Sequence, residues 1–136
     1  MILFINTSQA EEATLLLDDG KRIFNHSFAT GFNRTDTLLK HISVFLTKRK
    51  VETKELEGIA VVTGPGPFTS LRIGVVVANT LGYALNIKVV GIKATDFKSD
   101  DMLVKKGKAL LAKAKNFQIV EPFYGRAPNI TKPKKR

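Results

Sequence analysis

Residues 56–85, LEGIAVVTGPGPFTSLRIGVVVANTLGYAL, constrain the fold more than any other part of this chain. The run LEGIAVVTG is apolar without alternation, which marks a strand buried on both faces, the usual condition of a central parallel strand. Gly64 and Gly66 can take backbone angles closed to other residues. Pro67 suits the first position of a helix, where its missing N–H costs nothing. Thr69 or Ser70 offers a hydroxyl to the free N–H groups of the first helical turn. Such a stretch turns sharply from a buried strand into a helix, and so predicts a sheet with a helix lying on it.

A glycine-rich turn between strand and helix also raises the question of a phosphate loop. A phosphate cradle points several backbone N–H groups into one concavity, and Pro65 and Pro67 each lack that donor. The Gly-Lys-Ser/Thr ending of a P-loop is missing, and so is the G-x-G-x-x-G spacing of dinucleotide sites. The stretch is a poor phosphate loop and a good turn.

The helix that follows carries Arg72 as its one formal charge between Phe68 and Leu85. Leu71, Val75, Ala78, Gly82 and Leu85 share one face; Ile73, Val76, Val77, Leu81 and Ala84 share another. A helix on a sheet ordinarily buries one stripe and offers the other to water, so a second surface is expected to cover this one. Gly74, Ala78 and Gly82 form a row of small residues where another helix could come close. The cover comes from the helix at 35–50, from the tail, or from another subunit, since large apolar patches on soluble proteins mark interaction sites. Arg72, Asn79 and several hydroxyls argue against a membrane span here.

Around this unit, ILFINTS reads as a short buried opening strand. Asp19-Gly20 between two extended runs signals a hairpin. NRTDTLLKHISVFLTKRK places Leu38, Leu39, Ile42, Phe45 and Leu46 at helical spacing. Asn33 is the expected cap, Asp36 sits near the positive end, and Lys48–Lys50 suit the other. IKVVGI is a further strand. The order strand, strand, strand, helix, strand, helix, strand describes an α/β mixed sheet with two packed helices, the ribonuclease H-like layout. Beyond residue 95 a lysine-rich amphipathic helix interrupted by Gly107 is expected, followed by an extended tail that starts as a strand.

Charge separates the two parts. Of the net +10, residues 98–136 hold 11 Lys/Arg against three acids, and residues 1–97 hold 11 against nine. Such a basic segment suits RNA phosphates or an acidic protein surface, and equally a solvated tail. Cysteine is absent, which removes disulfides, a thiol nucleophile and zinc ribbons and fits a cytoplasmic protein. The start lacks the basic flank of a signal peptide.

GPGPFTSLRIG resembles the GPGSFTGLRIG hallmark of the bacterial TsaB (YeaZ) family, differing only at Pro67 and Ser70, and the small-residue helix behind it is similar too. ILFINTS resembles that family's ILAIDTS start, with Asn6 replacing the usual Asp. The helix near Thr35 lacks the family's histidine-serine-glutamate triplet. EPFYGRAPNITKPKKR loosely resembles its closing segment. The resemblance implies the actin-like ATPase/sugar kinase superfamily fold of two ribonuclease H-like halves. Only the first half is complete here, at 1–95, with 96–136 a short basic helix and tail in place of the second. It also implies a non-catalytic subunit that pairs with TsaD, the threonylcarbamoyl-transferring enzyme of tRNA modification, through its first two helices, or with a second copy through the same surface. Carried over, the partner face comprises Leu38, Ile42, Phe45, Leu71, Arg72, Val75, Ala78, Asn79 and Gly82. Glu at position 75 or 78 is then expected to break pairing and spare the fold.

No catalytic site, cofactor site or metal site is expected. His26 and His41 lie 15 positions apart, and His41 has no second ligand at helical spacing. Asn6 cannot offer magnesium the charge of an aspartate. Ser8, Ser27 and Ser43 lack a base partner or nucleophile elbow. Two rival functions stand beside the scaffold: weak nucleotide binding at the Asn6–Ser8 turn, and RNA contact by the basic tail.

Overall fold

The computed structural model describes residues 1–29 and 35–123. Five strands form one mixed sheet: β1 (Ile2–Asn6), β2 (Glu12–Asp18), β3 (Ile23–Ala29), β4 (Gly58–Gly64) and β5 (Lys88–Lys93), in the order β3-β2-β1-β4-β5. β1 to β3 run antiparallel as a meander, and β4 and β5 join β1 in parallel. The Asp19-Gly20 hairpin forms as its residues predict. Gly20 has a φ of +96°, and the Asp19 carboxylate accepts N–H bonds from Lys21 at 2.8 Å and Arg22 at 2.7 Å.

Three helices complete the fold: α1 (Thr35–Lys48), α2 (Phe68–Leu85) and α3 (Asp100–Lys113). Because side chains alternate along each strand, the sheet has two apolar faces. Leu3, Ile5, Leu15, Leu17, Ile59 and Val61 meet α1 and α2. Phe4, Leu16, Ala60 and Val62 meet Leu103 and Val104 of α3. β4 is buried at every position, as its unbroken apolar run requires. The sheet therefore carries helices on both faces, where the sequence reading placed two helices and set the third aside with the tail. α3 shares the core of 1–95.

Several expectations change. Gly107 does not interrupt α3: a Cβ there would lie 2.5 Å from the buried Phe4 ring, so the glycine lets helix and sheet approach closely. Ser99, whose hydroxyl accepts from Met102 N at 3.2 Å, caps α3. Pro67 sits one position earlier than expected, as the N-cap of α2, with no side-chain cap bond there. Residues 114–123 are extended without being a strand. The expected cap Asn33 and the basic end from 124 onward lie outside the described residues.

α2 is long and apolar enough to cross a membrane by length and composition. Its inner residues Leu71, Val75, Val77 and Ala78 are nevertheless core residues of the sheet, which is the place of a core helix in an α/β fold.

Candidate functional site

The glycine turn is filled by the protein itself. Gly64 adopts φ +126° and precedes Pro65 through a cis peptide bond. A Cβ at Gly66 would strike the backbone of Ser8, and one at Gly74 the side chain of Thr7. Thr7 and Ser8, just after β1, thus pack directly against the turn and the start of α2. Asn6 closes on its own turn: its Oδ1 accepts from Ser8 N at 3.0 Å and Ser8 Oγ at 2.6 Å. The amide oxygen is committed to this local turn.

The row of small residues on α2 also meets something other than a helix. Gly74 faces Thr7, and a Cβ at Gly82 would collide with Val89 of β5 and with Phe117. Phe117 belongs to the extended segment 114–123, which leaves α3 on one face of the sheet and packs against the core of the other. Phe117 and Val120 both join that core. Asn79 fixes the segment through two hydrogen bonds to Val120, and Phe123 N donates to Thr63 O at 2.8 Å. The expected cover over α2 is therefore divided, with α1 on one flank and this strap on the other.

The predicted partner face divides accordingly. Leu38, Ile42 and Phe45 of α1, and Leu71, Val75, Ala78 and Gly82 of α2, are buried within the chain. Asn79 is engaged with the strap. Of the nine, Arg72 alone is exposed. These seven buried residues are core, because the stripe that packs on the sheet is as apolar as the stripe beside it. Glu at 75 or 78 would put a charge in that core and strongly destabilise the fold, contrary to the expectation above.

What α2 does present outward is Phe68, Val76 and Tyr83, at 55%, 52% and 77% exposure. Arg72 lies between them with its guanidinium 5.0 Å from the Phe68 ring centre. These positions, spaced four, four and seven apart, fall on one helical face. Thr69, Arg72, Ile73 and Val76 form, with Thr35 of α1, a shallow groove of about 260 Å³. Leu39, partly exposed, lies one turn further along the same flank of α1 as Thr35. Sequence pattern missed this face, since periodicity cannot rank two apolar stripes; the single arginine, which a core stripe could not hold unpaired, was the available signal.

Among the described residues, no three His, Asp or Glu side chains gather as a metal cluster. The two histidines do meet. His26, on the inner face of β3, and His41, on α1, bring Nε2 and Nδ1 to 3.0 Å. Burial lowers the His41 pKa below its ordinary value, and the charges of His26 and Lys40 lower it further.

A five-stranded mixed sheet of this order, with α1 and α2 on one face and α3 on the other, defines a ribonuclease H-like domain of the actin-like ATPase/sugar kinase class. The family model described as TsaD, tRNA N6-adenosine threonylcarbamoyltransferase, matches residues 33–124, and the chain belongs to that family. It is 28% identical to the tRNA threonylcarbamoyladenosine biosynthesis protein TsaB of Buchnera aphidicola subsp. Schizaphis graminum, over 92% of this chain and 59% of the relative. It is 32% identical to the tRNA N6-adenosine threonylcarbamoyltransferase of Dictyoglomus turgidum, over 65% of this chain and 31% of that one. The fold superposes on YeaZ from Pseudomonas aeruginosa with a TM-score of 0.62 and 27% identity, covering 68% of this chain and 43% of that structure. The resemblance to TsaB (YeaZ) read from the glycine motif thus holds, and the chain spans about three fifths of its Buchnera relative.

Proposed function

We propose that this chain is a non-catalytic subunit in the synthesis of threonylcarbamoyladenosine on tRNA, docking a TsaD-like partner on the outer faces of α1 and α2. The observation that carries this reading is the exposed stripe Phe68–Arg72–Val76–Tyr83 beside the α1–α2 groove. Three large apolar side chains and one arginine on a rigid helix are the composition of an interface core. The helices are those the family resemblance named; the residues are the outward ones. A second copy can use the same stripe, so self-association competes with partner binding.

The tightly packed glycine turn, with Pro65 and Pro67 lacking N–H donors, and the self-bonded Asn6 support a scaffold over a nucleotide-binding domain. The reading includes no catalytic residue, no cofactor and a cytoplasmic location. Lys98, Lys105, Lys106, Lys113 and Lys115 are exposed on and around α3, and together with the basic tail they suit a tRNA backbone lying near the complex.

Co-purification of the chain with the TsaD-like subunit of the same cell tests the reading. Val76→Glu and Tyr83→Glu should each abolish the complex and leave the circular dichroism spectrum unchanged. Undiminished complex with both variants would sink it.

A further inference from the structure

His26 and His41 are used by nothing in the scaffold reading, yet their geometry is specific. Phe28 lies flat on the His41 ring, with centroids 3.7 Å apart and planes 6° from parallel. Phe45 stacks on His26 at 5.7 Å and 21°. The two imidazoles are thus braced by aromatic rings from β3 and from α1, and their facing nitrogens stand 3.0 Å apart. Two such nitrogens share either one proton or one cation. At the usual metal–nitrogen distance of about 2.0–2.1 Å, a 3.0 Å separation subtends roughly 90° at the ion. That angle is the cis angle of square-planar or octahedral coordination, which Cu²⁺ and Ni²⁺ favour.

We propose that His26 and His41 form a two-imidazole site for a borderline divalent ion, held cis, which ties helix α1 to edge strand β3. Both rings are only partly buried, so water fills the remaining positions. Among the described residues no carboxylate completes a third protein ligand, so the site is open and is not a closed structural zinc site. A metal binds the neutral imidazole, so binding strengthens as pH rises above the histidine range. The inference stands independently of the scaffold reading.

The test uses the full chain, made without added histidines, with Cu²⁺ as the probe. Calorimetry should give one ion per chain, and the paramagnetic resonance spectrum should show two imidazole nitrogens. His26→Gln and His41→Gln should each weaken binding by at least about tenfold, the cost of losing even an outer partner of a metal ligand. The unaltered protein alone decides the matter if a variant fails to fold. A spectrum with fewer than two imidazole nitrogens, or affinity in either folded variant unchanged from the original chain, overturns the proposal.

Discussion

The side-chain amide of Asn79 closes on both main-chain polar groups of Val120, donating to its carbonyl at 2.8 Å and accepting from its N–H at 2.9 Å. A residue 41 positions away thereby supplies the pairing a neighbouring strand would give, and the extended strap is held on α2 without a ladder of its own. Asn79→Ala leaves two partly buried backbone groups unpaired, which costs about 1–3 kcal/mol. Denaturant titration should show that loss. Hydrogen exchange at residues 117–123 should rise more than exchange in β1 or β4, and a uniform rise would show that the amide does not hold the strap specifically.

Gly107 sets helix propensity against packing. Alanine in a helix interior is favoured over glycine by about 1 kcal/mol. Here the added methyl meets the Phe4 ring at 2.5 Å and the Ala60 Cβ at 3.1 Å, and Phe4 is fully buried in the centre of the sheet. Overpacking at such a site costs about 1–3 kcal/mol, so packing wins and Gly107→Ala lowers the thermal midpoint. A raised midpoint would mean that α3 can shift off the sheet.

Much of the fold was legible in the residues, and the limits have physical causes. Strand β4, the Asp19-Gly20 hairpin and the order of elements follow from unbroken or alternating apolar runs, which report burial directly. The strap was not legible, because its docking rests on one amide and on side chains from three elements, with no periodic signal. The meeting of His26 and His41 was equally hidden, since a strand and a helix bring together residues that no local spacing relates. The residues read as a partner face turned out to be largely core, because α2 is apolar nearly all round and pattern alone cannot tell its inner stripe from its outer one.

The depressed His41 pKa has a signed consequence. The native state holds His41 neutral more readily than the unfolded chain does, chiefly through burial, then through the charges of His26 and Lys40. The unfolded state therefore binds more protons as pH drops below 6.5, the ordinary value. The associated stability is fully present above 6.5 and is lost as pH falls through the folded value. His41→Gln removes the titrating group. The difference in thermal midpoint between about pH 8 and about pH 5.5 should be smaller in the variant than in the original chain. An equal difference would assign the acid sensitivity to other groups.

Thr7 offers a stabilising change. Its hydroxyl is buried over Gly74 and has no hydrogen-bond partner among the described residues. An unpaired buried hydroxyl costs free energy, and replacing it with a group of the same shape relieves that cost. Thr7→Val should raise stability by about 1 kcal/mol. A fall in the denaturation midpoint would show that the hydroxyl has a partner.

Val75 and Val76 are adjacent in sequence and opposite in fate, the first buried against the sheet and the second half exposed on the outer stripe. A glutamate at 75 places an unpaired carboxylate in the core cluster that holds Leu3, Ile5 and Val61. The cost is on the order of 3–5 kcal/mol, a large fraction of the roughly 5–15 kcal/mol that holds a domain folded. A glutamate at 76 meets water and shifts stability by about 0.5 kcal/mol or less. Thermal denaturation of the two variants, measured without any partner, separates the core stripe from the outer one. Were both to melt together well below the original chain, the outer stripe would be covered within the chain itself and could not serve as a docking face.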